Sequence, residues 1–308
     1  MALVTRKQVG LKPTASAGGR NITVLAAGTP VTVDPTWAKV ATADGLVGWV
    51  HAADLAPAPI IVPGPVAPSG IAMPVGDLPG WRQIFTEDFT TNVAVGSFPG
   101  PAYAAKWSAY PDGWLDTSKH GTYMPSTVLS VAGGALNLYL HTDSQGRHCV
   151  SAPLPILSPG AKAYGADWTY GKLEWCMRSD RLPGYKTANL LWPANDGDWP
   201  AAGEMDHPEG NLDSGTIEAF MHWWGGGGQD AYSATCDRTA YHRFGIEWLP
   251  GSLTFLLDGV IIGHATAKVP SGPMHFVLQC ETALDGSTPD STVAGLIQVD
   301  WFVAYIPA

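Results

Sequence analysis

A chain of 308 residues with 36 Gly, 26 Pro and only 14% charged residues is long enough to bury one to three cores, and favours short strands and many turns over long amphipathic helices. Its net charge of −10, with no basic run, argues against a phosphate backbone or an anionic membrane surface as partner and leaves neutral polymers open. The sequence has no apolar stretch of about 18 residues and no apolar leader core in its opening MALVTRKQVGLKPT, so a soluble chain is expected, with any export leaderless.

Residues 1–56 carry short β-propensity runs, ITVLAAGTPVTV, WAKVAT and GLVGWVHAADL, separated by Gly, Pro and Asp turns, the pattern of a small barrel. GLKPTAS near the start and GWVHAADL at the end resemble a bacterial SH3-like domain. In that family such modules dock on cell walls or pack against a catalytic domain, which implies a cell-wall ligand; a barrel serving only as spacer is the plain alternative. Residues 57–80 are proline-rich and read as an interdomain linker in extended geometry.

Strand signals then recur to the C-terminus. In ALNLYLHT, Leu136, Leu138 and Leu140 oppose Asn137, Tyr139 and His141, and in GKLEWCMRS, Leu173, Trp175 and Met177 oppose Lys172, Glu174 and Arg178; each is a strand with one face buried. Asp258-Gly259 between two apolar runs marks a hairpin. MHFVLQC and IQVDWFVAYI extend a series of roughly ten or more strands, which predicts a two-sheet sandwich or jelly roll. Cys149, Cys176, Cys236 and Cys280 show no metal-cage spacing; they fit two disulfides in any of three connectivities, or buried thiols.

The segment GEMDHPEG places Glu204, Asp206 and Glu209 together. On a strand Glu204 and Asp206 share a face and Glu209 falls on the other, unless a β-bulge shifts the register; Pro208 suits such an interruption. Three carboxylates on one wall push their pKa values apart, as a nucleophile, a helper and a proton donor require. A solvated acidic turn or a calcium loop is the alternative. Met205 and His207 alternate away and are expected to pack beneath the sheet. Of 13 tryptophans, Trp192, Trp199, Trp223 and Trp224 flank or follow the motif, and flat aromatic faces bind sugar rings. Alternation turns only one of Trp223 and Trp224 toward a ligand. The GGGGQD run after them lacks a phosphate-loop context and is expected to form a loop at the cleft rim.

Residues 81–308 resemble glycoside hydrolase family 16. The resemblance is carried in order by FTEDF, YGKLEWCMR, LLWPANDGDWPAAGEMDHPEG, IEAFMHWW, GIEWLPGSLTFLLDG and VDWFVAYI. It implies an all-β fold, a concanavalin-like β-jelly-roll sandwich, here preceded by the small SH3-like β-barrel. It further implies a retaining mechanism in which Glu204 is the nucleophile, Asp206 the electrostatic helper and Glu209 the general acid and base. Trp192 and Trp199 look like the aromatics that line sugar subsites next to cleavage. His222 is placed to contact the sugar at the cleavage point, with a core histidine as the alternative. The family's structural calcium implies Asp88 and Asp300 as its ligands, and no other cofactor is required.

The expected function is therefore that of a retaining endo-acting hydrolase of a β-linked polysaccharide. The bulged motif looks like the laminarinase, agarase and carrageenase side of the family, and without sulfate-binding basic residues clustered near the cleft an uncharged β-1,3-glucan is the first expected substrate and a galactan the second. A transglycosylase with the same intermediate, and a lectin on the same fold, are the competing readings; a lectin would lack one of the acids. A monomer acting outside the cell or on a virion, on envelope glycans, is expected, with no nucleic acid and no membrane as partner.

Overall fold

The computed structural model describes residues 68–158 and 168–308, together with the backbone of seven short strands before residue 58. The chain divides into two units, Met1–Pro63 and Gly64–Ala308. In the first, the strands Leu3–Thr5, Val9–Leu11, Thr23–Leu25, Pro30–Val31, Trp37–Ala41, Val47–His51 and Leu55–Pro57 are β1 to β7. They pair antiparallel as β4-β1-β7, β2-β3 and β5-β6. The intervening turns, on which the expectation of a closed SH3-like barrel depends, lie outside the described residues.

The second unit is a sandwich. Its strands are β8 (Trp81–Glu87), β9 (Trp107–Ala109), β10 (Gly121–Tyr123), β11 (Leu129–Ala132), β12 (Ala135–Thr142), β13 (His148–Val150), β14 (Pro153–Pro155), β15 (Gly171–Ser179) and β16 (Tyr185–Pro193), then β17 (Glu204–Asn211), β18 (Thr216–His222), β19 (Gln229–Thr235), β20 (His242–Leu249), β21 (Ser252–Leu257), β22 (Val260–Ala265), β23 (Met274–Thr282) and β24 (Gly295–Pro307). One sheet runs β10-β13-β12-β24-β15-β20-β21-β22, with β11 added to β12 and β8 to β24. The other runs β19-β18-β17-β16-β23, so the strand that begins with Glu204 is central. The hairpin at Asp258-Gly259 forms as expected, both residues taking positive φ of 52° and 80°, the primed-turn geometry that matches strand twist.

The two sheets close on an aromatic core. Trp175 of β15 lies 4.9 Å from Phe276 of β23 and 6.1 Å from Phe302 of β24, centroid to centroid. His207 of β17 meets Phe244 and Phe255 at 5.6 Å each. The alternation read from the sequence is seen here: Leu136, Leu138, Leu140, Leu173 and Trp175 are all buried. Trp175→Ala is expected to destabilise the unit by about 3–5 kcal/mol, through lost transfer energy and an unfilled cavity, and urea unfolding followed by tryptophan fluorescence checks this. All four cysteines are buried free thiols.

The proline-rich stretch departs from the linker expected over residues 57–80. From residue 68 onward it belongs to the sandwich: Ile71, Met73 and Leu78 pack with Trp81 on the far face of the larger sheet, against Cys176, Trp301, Val303 and Tyr305. Ser69 N donates to Asp300 Oδ2 at 3.1 Å and Trp301 Nε1 donates to the Ile71 carbonyl at 2.8 Å. Prolines remove ladder donors without preventing burial, so such a segment covers a sheet face without joining its ladder.

Candidate active site

The three acids sit on β17, and the predicted bulge is present. Asp206 opposes Phe220 while Glu209 opposes Glu218, three residues against two, and the same slip occurs against β16 between Leu190 and Ala188. The extra residue returns Glu209 to the face of Glu204 and Asp206. Met205 and His207 turn the other way and are fully buried. Burial pushes the His207 imidazole down to about 4, so it is a neutral core group, with Nε2 2.8 Å from the Leu256 carbonyl.

The glycines bracketing the motif have steric reasons. Gly203 has φ of +71°, and a Cβ there would sit 2.6 Å from the His222 carbonyl oxygen. Gly210 has φ of +118°, and a Cβ would lie 2.5 Å from Glu218 Oε2. The strand enters and leaves the site through conformations open mainly to glycine.

The carboxylates occupy different surroundings. Glu204 is pushed up to about 9, first by burial and then by the Asp206 charge, against the opposing pull of His222 and of the Trp199 hydrogen bond. Asp206 is 2% exposed and also rises well above the usual range, first through burial and then through the Glu209 charge. Two carboxyls so placed hold a proton between them. Glu209 is paired instead with Lys186, whose Nζ donates to Oε1 at 2.5 Å. Residues on one strand thus meet opposite electrostatics, a proton on one side and an ammonium on the other.

Lys186 escaped the sequence reading. It lies on β16, opposite Asn211 of β17 and Glu281 of β23, and is itself buried. The buried Glu281 accepts from Thr117 N at 3.0 Å and from Tyr123 OH at 3.2 Å. The available signal was periodic: Lys186, Ala188, Leu190 and Trp192 alternate onto one face of a strand. Without β17 beside it, nothing marked that face as the site. Lys186→Met is expected to lower kcat about tenfold or more with a smaller change in KM, because Glu209 loses the group that holds its orientation. Lys186→Arg should restore part of that loss in steady-state assays.

The aromatics divide. Trp192 and Trp199 stack with centroids 5.9 Å apart and planes at 17°. Trp192 Nε1 donates to Asp196 Oδ1 at 2.9 Å, and Trp199 Nε1 donates to Glu204 Oε2 at 2.8 Å. Trp199 is 44% exposed, so a ring bonded to one acid also offers a face to solvent. Trp199→Phe keeps the ring and removes the donor; kcat is expected to fall about tenfold, the worth of a hydrogen bond to a charged group. His222 opposes Glu204 across the β17–β18 pair. Its Nε2 is 3.4 Å from Asp206 Oδ2 and 3.8 Å from Glu204 Oε2, so the half-buried ring stands beside the acids.

Trp223 is the inward member of the Trp223–Trp224 pair. It packs against the core, Lys268 Nζ lies 3.9 Å over its ring, and a Cβ on Gly228 would strike that ring at 2.4 Å. Trp224 is the exposed member of the pair, as alternation requires. Asp88 and Asp300 are apart from the acids. Asp300 is buried and raised, first by burial, with Asp88 adding repulsion.

Residues 121–302 match the profile of glycosyl hydrolases family 16. The chain belongs to that family. The fold is shared with the catalytic domain of an endo-1,3-β-glucanase (laminarinase) from Thermotoga petrophila RKU-1, at TM-score 0.60 and 18% identity over 76% of this chain and 99% of that one. It is shared equally with LamAcat from Zobellia galactanivorans, at TM-score 0.59 and 18% identity over 72% and 97%. The family member also has curated relatives. It is 25% identical to a keratan-sulfate endo-1,4-beta-galactosidase of Sphingobacterium multivorum, over 62% of this chain and 44% of that protein. A 174-residue stretch, 54% of this chain, is 25% identical to the sodium-dependent neutral amino acid transporter B(0)AT1 of Rattus norvegicus over 24% of its length. The chain thus spans less than half of either curated relative. Among the described residues no helix is long and apolar enough to cross a membrane.

Proposed function

We propose that the larger unit is a retaining, endo-acting glycoside hydrolase of a β-linked polysaccharide. The observation that carries this reading is the bulge, which puts Glu204, Asp206 and Glu209 on one face of the central strand. A lectin has no use for three acids in such unlike surroundings. Retaining cleavage uses two carboxyl groups about 5–5.5 Å apart, one attacking the anomeric carbon while the other protonates the leaving oxygen. Glu204 is assigned the attack and Glu209 the proton transfers. Asp206 takes up the proton Glu204 must release, Glu209 takes a proton from solvent before it acts as acid, and Lys186 stabilises Glu209 once it is ionised and acts as base on the incoming water. The Trp192–Trp199 surface is assigned to the sugar next to cleavage, with His222 near its reacting carbon.

An uncharged β-1,3-glucan is the first substrate, supported by the laminarinase neighbours. A galactan is the second, favoured by the endo-galactosidase relative. Transfer to a second sugar in place of water proceeds through the same covalent intermediate. The experiment is digestion of laminarin, mixed-linkage glucan, agarose and desulfated keratan, with product sizes and the anomer first released followed by NMR. Release of inverted anomer would refute the retaining assignment, and release of monosaccharide alone would refute endo action.

Around this core we place an SH3-like module in residues 1–56 with a cell-wall glycan as ligand, and action by a monomer outside the cell or on a virion, where such polymers are found. A structural calcium ion at Asp88 and Asp300 completes the proposal. The donors suit a hard cation, and among the described residues no basic side chain forms an ion pair with either acid.

A further inference from the structure

We propose that Glu204, Asp206 and His222 together form a binding site for a transition ion of the Zn2+ class, with three protein ligands and a fourth position open to the cleft. One ligand atom from each lies within 4.8 Å of the others. His222 Nε2 is 3.4 Å from Asp206 Oδ2 and 3.8 Å from Glu204 Oε2. Tetrahedral Zn2+, with bonds of about 2.0–2.2 Å to nitrogen and oxygen, sets its ligand atoms about 3.3–3.6 Å apart. The three groups are therefore within a small side-chain adjustment of that geometry.

The backbone supports this placement. Glu204 and His222 are direct partners in the β17–β18 register, and Asp206 lies two residues along the same ladder. The ligands come from paired central strands, which hold a constellation more tightly than loops do. An independent sign is the state of Asp206. Its Oδ2 is buried and has no hydrogen-bond partner among the described residues, and it is the atom that faces the imidazole. A coordinated cation would replace the proton that Glu204 and Asp206 otherwise share and give that buried oxygen a partner. Trp199 supplies an outer partner, because its indole N–H holds Glu204 Oε2 at 2.8 Å, as groups behind metal ligands commonly do.

One imidazole with two carboxylates selects for Zn2+, Co2+, Ni2+ and Cu2+ over Mg2+ and Ca2+, which prefer all-oxygen shells. A bound ion would occupy the lone pairs Glu204 needs for attack and so arrest the reaction. That consequence rests on the proposed hydrolase function; the binding itself does not.

The test uses the full chain, stripped with a chelator and titrated with ZnCl2 by calorimetry, and with CoCl2 by visible absorption. Expected are one ion per chain at the site and the absorption bands of low-coordinate Co2+. Asp206→Asn and His222→Gln should each weaken binding tenfold or more, Glu209→Gln should leave it within about threefold, and excess Mg2+ or Ca2+ should not compete. Thermal melts confirm that each variant is folded, and either ligand variant suffices if the other is not. Absence of saturable Zn2+ binding, or wild-type affinity in a folded ligand variant, would overturn the site. If those variants lose Zn2+ binding while the wild type cleaves none of the glycans, the metal site stands and the hydrolase reading fails.

Discussion

Glu204→Ala and Glu209→Ala are each expected to lower turnover about a thousandfold or more, and sodium azide should rescue them with opposite stereochemistry. Without Glu204 no covalent intermediate forms, so azide entering the space the carboxylate left attacks the face opposite the leaving group and gives an inverted glycosyl azide. Without Glu209 the intermediate still forms on substrates with good leaving groups, and azide then displaces Glu204 to give net retention. The test separates two residues on one strand whose surroundings already differ, Glu204 beside Asp206 and Glu209 against Lys186. If both variants returned the same anomer, the division of roles would be wrong. NMR of the azide products made from an activated aryl glycoside decides it.

Asp206→Asn should stabilise the protein while nearly abolishing activity. In the folded state Glu204 is pushed up to about 9, and Asp206 is raised as well, whereas both titrate near 4 in an unfolded chain. Between about pH 4 and pH 9 the folded state therefore binds more protons than the unfolded one. Stability is full below that window and falls as pH rises through it. A tenfold change in proton affinity between the two states is worth about 1.4 kcal/mol. Because the two carboxyls share a proton and relax as they ionise, a net gain of about 1–3 kcal/mol at pH 8 is the expectation. Asparagine removes one of the two charges, so the variant should melt several degrees higher at pH 8, differ little from wild type at pH 4, and show kcat lowered about a hundredfold or more. Melting curves across pH 4–9 check the sign. A variant less stable than wild type at pH 8 would mean that the buried pair does not store this cost. Such exchange of stability for function is common where like charges are confined.

Much of the site was legible because strand periodicity and local spacing are properties of the chain. Alternation assigned Leu136, Leu138, Leu140, Leu173 and Trp175 to the interior, where they are found. The spacing of Glu204, Asp206 and Glu209 made a bulge necessary if all three were to share a face, and the bulge is present. Pairings between distant segments were not legible. Lys186 carried no signal of its own, and only the pairing of β16 with β17 brings it to the site. Alternation required Trp223 and Trp224 to face opposite ways, and the folded sandwich decided which one turns inward, Trp223 against the core and Trp224 to solvent. Residues 68–80 read as linker because composition reports what a segment cannot hydrogen-bond, while their place against Trp301 depends on an apolar sheet face more than two hundred residues away in sequence.

Composition, alternation and the order of motifs were enough for the β-rich class and the three acids, since those follow from backbone geometry and the period of two along a strand. The inequality of the acids required the folded sandwich. Desolvation of Glu204 and Asp206, the ammonium against Glu209, and the orphaned oxygen facing His222 arise between strands. Electrostatic energies depend on burial and separation in space, which the linear order of residues does not carry.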